Sequence, residues 1–154
     1  MKFILLSIVL IAQFSLTAQT AKIVNPSSVH QPKGGYSHYV VIDLGDSKMI
    51  ITAGQIALDK QGRLVGIGDF RKQAEQVYLN IKNLLAEEGG TMDNIVRTGT
   101  YLVDMSNIQQ LREIRSKYLN TLTPPASTLV QVSKLFMEEA IIEIEVTAIV
   151  PKKK

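Results

Sequence analysis

Near its C-terminal end the chain reads AIIEIEVTAIV, residues 140–150, with Ile142, Ile144 and Val146 on alternate positions and Glu143 and Glu145 between them. A strict period of two is the signature of a strand whose side chains point to opposite faces of a sheet. One face of that strand is apolar and must be covered. The other carries carboxylates and is either wet or an interface, with Glu143 at its edge. Whatever the rest of the chain does, it must lay apolar helix faces on one side of a sheet that contains this strand.

The remaining segments supply the layer. YSHYVVIDL, residues 36–44, and KMIITAG, residues 48–54, are rich in β-branched and aromatic residues and flank Gly45-Asp46-Ser47, which predicts a hairpin. Glycines 62, 66 and 68 follow in a loop that lacks both the Gly-Lys-Ser/Thr ending of a phosphate loop and the spacing of a dinucleotide fingerprint. Asp69 caps a helix whose stripe is Ala74, Val77, Tyr78, Ile81, Leu84 and Leu85, and Gly89-Gly90 ends it. NIVRTGTYLVD predicts another strand. Ser106 with Gln109 then gives a capping-box signature for a second helix with the stripe Ile108, Leu111, Ile114, Tyr118 and Leu119. Thr121 to Pro125 is a turn, and STLVQVSKL and AIIEIEVTAIV close the chain as strands. The order β-β-α-β-α-β-β predicts an α+β sandwich, a single mixed sheet with two helices on one face. Its opposite face then needs a partner, so self-association is expected.

Composition narrows the setting. MKFILLSIVLIAQFSLTAQT has one cation, Lys2, and an apolar run from Phe3 to Ala12 that is too short for a stable span, which needs roughly 20 residues. It reads as a signal peptide of residues 1–18, cut after Ala18, with export to a periplasmic or secreted location. Leu16 at the minus-three position leaves an uncleaved anchor as the alternative. One domain, residues 21–150, follows, with a basic tail at 151–154. The absence of cysteine excludes a disulfide framework, a thiolate zinc site and a cysteine nucleophile. Setting aside Lys2 and Lys152 to Lys154, the 17 basic residues fall to 13 against 14 acidic ones, so the body is about neutral. Without a basic stripe or a row of stacking aromatics, nucleic acid is not expected as a partner.

Candidate chemistry is sparse. Glu143 is either part of the solvent face of an amphipathic strand or a partly buried carboxylate whose raised pKa suits proton transfer. Tyr36 follows Gly34-Gly35 at a strand entry and is either packing or a free hydroxyl donor. His30 and His38 lack a third ligand in register for a metal, and His38 reads as a half-exposed strand residue. PPAST is not a nucleophile elbow, so Ser127 is not expected in a triad. Arg112 and Arg115, three apart on the second helix, are solvated charges or a guanidinium pair presented to an anion.

In order along the chain, GGYSHYVVIDLG, MIITAGQIALD, DNIVRTGTYLVDM, PPASTLVQVSKL and IIEIEVTAIV resemble the RidA/YjgF family, the reactive-intermediate enamine/imine deaminases also called endoribonuclease L-PSP proteins. The resemblance spans Ala21 to Val150. It implies a chorismate-mutase-like fold, a homotrimer with three clefts between subunits, and hydrolysis of small enamines or imines to a carbonyl compound and ammonia without metal or cofactor. Residue by residue, it places the family's cleft tyrosine at Tyr36, its Ser-Gly-Gln-Ile stretch at Ala53, Gly54, Gln55 and Ile56, and its water-handling glutamate at Glu143. The family's carboxylate-binding arginine, in a Pro-Ala-Arg-Ser stretch, is replaced by Ser127. A hydroxyl supplies neither the charge nor the second hydrogen bond of a guanidinium, a loss of roughly 1.5 to 3 kcal/mol. Arg112, where deaminase members often have asparagine, is a candidate displaced cation, aided by Arg115. Two functions follow as expectations: a small-ligand cleft that still hydrolyses an altered imine, and a non-catalytic binding or chaperone-like trimer. No membrane contact is expected once the signal is removed.

Overall fold

The computed structural model describes residues 21–152, so the signal segment lies outside the described residues. A six-stranded sheet runs in the order β1-β2-β3-β6-β4-β5, from β1 (Ala21–Val24), β2 (Tyr39–Asp43), β3 (Ser47–Thr52), β4 (Ile95–Leu102), β5 (Ala126–Gln131) and β6 (Ile142–Pro151). Helix α1 (Phe70–Glu87) joins β3 to β4, and α2 (Ile108–Tyr118) joins β4 to β5. All neighbours are antiparallel except β4 and β5, which α2 makes parallel by crossing over the sheet. The expected α+β mixed sheet with two helices is the observed fold.

The alternation read from the sequence is the alternation seen. Ile142, Ile144, Val146, Ala148 and Val150 are buried, and the residues between them are half-buried. β6 is the longest strand and has a neighbour on each side, so its apolar face sits at the centre of the core. Onto that face α1 lays Ala74, Val77, Ile81, Leu84 and Leu85, all fully buried, and α2 adds Leu111 and Ile114. Each of the valine, leucine and isoleucine side chains contributes roughly 1.5 to 3 kcal/mol of burial. Asp69 caps α1 by accepting from the Lys72 amide at 3.1 Å, and Gly89, at φ +76°, turns the chain away after its end.

Four details differ from expectation. The strand Ala21–Val24 was not anticipated; AKIV is short and exposed and has no turn signal to announce it, and its order comes from pairing with β2 at the sheet edge. The Ser106 capping box does not form. Asp104 instead caps a 3-10 turn at Met105–Asn107, accepting from the Ser106 amide at 2.8 Å and its hydroxyl at 2.6 Å, and α2 begins afterwards at Ile108. His38 is fully buried rather than half-exposed. The tail is shorter than expected, since Pro151 ends β6 and the Lys152 ammonium pairs with Asp43 at 2.7 Å.

Among the described residues no layer covers the second face of the sheet. Following the registers Ile23 to Val40, Val40 to Ile51 and Ile42 to Met49, the β1-β2-β3 side of this face is aliphatic, with Ile23 68 % and Ile51 42 % exposed. Across β6 and β4 the same face carries Glu143, Glu145, Arg97 and Tyr101.

Candidate functional site

Glu143 sits near the start of β6, opposite Tyr101 of β4, and its carboxylate leans the other way, over Gly54. A Cβ built on Gly54 would lie 1.7 Å from Glu143 Oε1, so only glycine leaves the seat open. Glu145 makes the mirror arrangement, over Gly99, where a Cβ would meet Oε1 at 2.7 Å. Two like charges two residues apart on one face are thus tilted to opposite sides. Arg97 lies 3.5 Å from Glu145 and neutralises part of that pair. Among the described residues no cation pairs with Glu143, and its carboxyl is held above the usual carboxylate range by burial first and by the Glu145 charge second. A carboxyl raised in this way exchanges its proton more readily near neutral pH.

The backbone beside it is fixed from both directions. Gln55 exchanges hydrogen bonds with Ile144, N to O at 2.8 Å and O to N at 3.0 Å, which docks the Gly54-Gln55 stretch onto β6. Gln55 is 1 % exposed; its Nε2 donates to the Ala53 carbonyl at 3.0 Å, and its Oε1 has no hydrogen-bond partner among the described residues. Two buried amides of α1, which sequence reasoning missed, hold the neighbouring loops. Asn80 Nδ2 donates to the Leu58 and Ile56 carbonyls at 2.9 and 3.2 Å, just after Gln55. Gln73 donates to the Glu139 carbonyl at 2.8 Å and accepts from the Ile141 amide at 3.0 Å, just before Glu143. Their signal in the sequence was a polar residue within an otherwise buried helix face.

Tyr36 lies in the loop before β2 and is 47 % exposed, with its hydroxyl turned in to share a 3.1 Å hydrogen bond with His30 Nε2. Burial of that end raises its pKa. The His38 ring, set edge-on to both His30 and Tyr36, donates from Nε2 to the His30 carbonyl at 2.6 Å. Burial lowers the pKa of both histidines, most directly favouring neutral rings. Tyr36 lines a hollow of about 500 Å³ with Gly34, Gly35, Ile23 and Val40. The Ala53 amide donates to the His38 carbonyl at 2.8 Å, so the Tyr36 loop, Gly54-Gln55 and the start of β6 gather at one end of the sheet.

Ser127 is elsewhere. It pairs with Thr98, which pairs with Val146, a residue of the helix-covered face three positions beyond Glu143. Arg115 of α2 reaches it, donating from Nη1 to Ser127 Oγ at 3.2 Å, and the Thr98 hydroxyl donates to the same oxygen at 3.1 Å. Arg112, one turn earlier on α2, is exposed. One chain therefore holds Gly54, Gln55 and Glu143 together, with the loop that carries Tyr36 at the same end of the sheet, and Ser127 with Arg115 apart from them. Among the described residues no group of three or more His, Asp or Glu side chains is placed to hold a metal ion.

Residues 27–150 match the sequence profile of the family described as Endoribonuclease L-PSP. A RutC family protein of Synechocystis is 32 % identical over 133 residues, covering 86 % of this chain and 98 % of that protein. The crystal structure of RidA from an Antarctic Psychrobacter superposes with a TM-score of 0.72 at 27 % identity, over 84 % of this chain and 99 % of the other. That of E. coli TdcF with bound serine does so with a TM-score of 0.71 at 25 % identity, over 85 % and 99 %. The chain belongs to the endoribonuclease L-PSP family, which is the RidA/YjgF family.

Proposed function

We propose that this protein is an exported homotrimer that hydrolyses small imines and enamines to a carbonyl compound and ammonia in clefts formed between subunits. The observation that carries the reading is the seat of Glu143: a carboxyl raised by burial, over a glycine that leaves its oxygens open, on a rigid central strand. In the reaction a water adds to the carbon of the protonated imine while one of its protons passes to the Glu143 carboxylate, giving a neutral carbinolamine. The carboxyl returns that proton to the nitrogen and takes up the remaining hydroxyl proton as the carbon–nitrogen bond breaks, so that the carbonyl forms and ammonia leaves. Tyr36 and Gln55 shape the pocket and hold the substrate. The aliphatic half of the open sheet face, with Ile23 and Ile51 exposed, is the surface on which three copies meet. Assembly then brings the Ser127 edge of one copy towards the Glu143 end of another. E. coli TdcF with bound serine supports a small amino-acid-like ligand for such a cleft.

A non-catalytic, ligand-binding trimer is the second reading, and Ser127 at the position of the family's arginine favours it. The two are separated by generating 2-aminoacrylate and its four-carbon homologue in situ and following keto-acid release with and without the protein. Acceleration supports the hydrolase, and a rate equal to the buffer control leaves the binding trimer. Light scattering tests the assembly in parallel: a mass of three chains is expected, and a stable monomer would remove the clefts.

A further inference from the structure

Between β1 and β2 the chain runs through residues 25–38 without a helix or strand, and Tyr36 rides on this loop directly after Gly34-Gly35. Two glycines give the backbone freedom just where the tyrosine must be held. A run of three rings holds it. The His38 carbonyl accepts from the Ala53 amide at 2.8 Å and the His38 amide donates to Asn25 Oδ1 at 2.8 Å, which fastens His38 beside the Gly54-Gln55 stretch and closes the loop on its own start. The His38 ring, 0 % exposed, donates from Nε2 to the His30 carbonyl at 2.6 Å. The His30 ring, 8 % exposed with its centroid 4.7 Å from that of His38, meets the Tyr36 hydroxyl through Nε2 at 3.1 Å.

The direction of each bond follows from the groups. A carbonyl only accepts, so neutral His38 carries its hydrogen on Nε2. A phenol O–H is the more acidic donor and a bare imidazole nitrogen the more basic acceptor, so Tyr36 donates to His30 Nε2 and His30 carries its own hydrogen on Nδ1. Both rings are kept neutral by burial, and the charges that act on His30, those of His38 and Lys33, also oppose its protonation. The Nδ1 atoms of both rings are buried without a hydrogen-bond partner among the described residues. An unpartnered buried nitrogen is destabilising, so two of them in one loop mark rings retained for what their Nε2 atoms do.

We infer that His30 and His38 are positioning residues for Tyr36: His38 holds the His30 ring, and His30 takes the hydrogen of the Tyr36 hydroxyl, so that Tyr36 meets a ligand through its oxygen as an acceptor. A tyrosine whose hydrogen is engaged in this way selects for a ligand N–H and against a bare carbonyl oxygen in the same place. Only the last step, that Tyr36 faces the ligand, rests on the cleft reading above; the order of the rings does not.

That order is read on the unliganded protein, without turnover. Long-range proton–nitrogen NMR at neutral pH should place the His30 hydrogen on Nδ1 and the His38 hydrogen on Nε2, and Tyr36→Phe should move the His30 Nε2 resonance while leaving the His38 ring as it was. A His30 hydrogen on Nε2, or a His30 resonance that Tyr36→Phe does not move, would overturn the proposal. In imine hydrolysis, His30→Leu should lower kcat/KM by about tenfold, and His30→Gln, whose amide oxygen can accept from the same hydroxyl, should recover most of that loss. In a Tyr36→Phe background His30→Leu should cost nothing further. A folded His30→Leu protein as active as the parent, or an equal loss in the Tyr36→Phe background, would reduce His30 to a packing residue and overturn the proposal. A parent without turnover would remove the hydrolase reading alone, and the NMR result would still decide this one.

Discussion

The Glu143 region and the Ser127 region differ in how much of the fold depends on them. Glu143 lies on the central strand, between two paired neighbours, with its seat set by Gly54 and its flanking loops tied down by Asn80 and Gln73. Ser127 lies on the edge strand, exposed, held by two side-chain hydrogen bonds. The first region cannot change one residue without moving several others. The second can exchange the residue at position 127 more freely, because β5 is the edge strand and among the described residues no strand pairs with its outer side.

The largest effect expected from breaking this contrast is at Gly54. Gly54→Ala drives a methyl into the Glu143 carboxylate, and overpacking of this kind costs roughly 1 to 3 kcal/mol. A clearly lower melting temperature and at least about a tenfold loss of imine hydrolysis are expected, whereas Ser127→Ala should leave the melt unchanged. Activity retained in Gly54→Ala would show that the seat tolerates displacement.

A smaller effect comes from the ionisation of Glu143. Its folded-state pKa is raised, so the folded chain binds this proton more tightly than the unfolded chain, and stability falls as pH rises from the ordinary carboxylate range through the raised value. Glu143→Gln removes that loss. Thermal melts should therefore show the variant more stable than the parent at pH 7, with the difference shrinking as pH falls through the raised value towards about 4. A variant less stable at pH 7 would mean that the charged carboxylate is a net stabiliser.

The smallest effect is expected from Ser127→Arg. Arg115 Nη1 already reaches the Ser127 hydroxyl at 3.2 Å, so an arginine at 127 would place a second guanidinium beside an existing one and be repelled by it. Hydrolysis should change by no more than a few-fold, and a gain of tenfold or more would show that the site had lacked its cation.

Much of the fold was legible because period and punctuation agreed. IEIEV gave the central strand, the stripes of both helices gave their buried faces, and Asp69 and Gly89 marked the ends of α1. The strand at Ala21–Val24 was not legible, since four residues without a turn signal take their order from pairing with a distant segment. The candidate site was half legible. Glu143 stood out as a carboxylate among isoleucines, and Tyr36 and Gln55 came with the family resemblance. That Arg115 rather than Arg112 meets Ser127 depends on the register of β4 with β5 and on how α2 lies across them, and two arginines three apart on a helix do not reveal it. Nor could His38 be placed from its strand-like neighbours, because its burial comes from the His30 carbonyl and the folded-back loop before it.

The central claim is that Glu143 carries the proton of an imine hydrolysis, and the direct test is keto-acid release from 2-aminoacrylate generated in situ, by the parent protein and by Glu143→Gln. The parent should accelerate release over buffer, and the variant, still folded by its melt, should lose about a hundredfold or more of that acceleration. A variant as active as the parent would contradict the account.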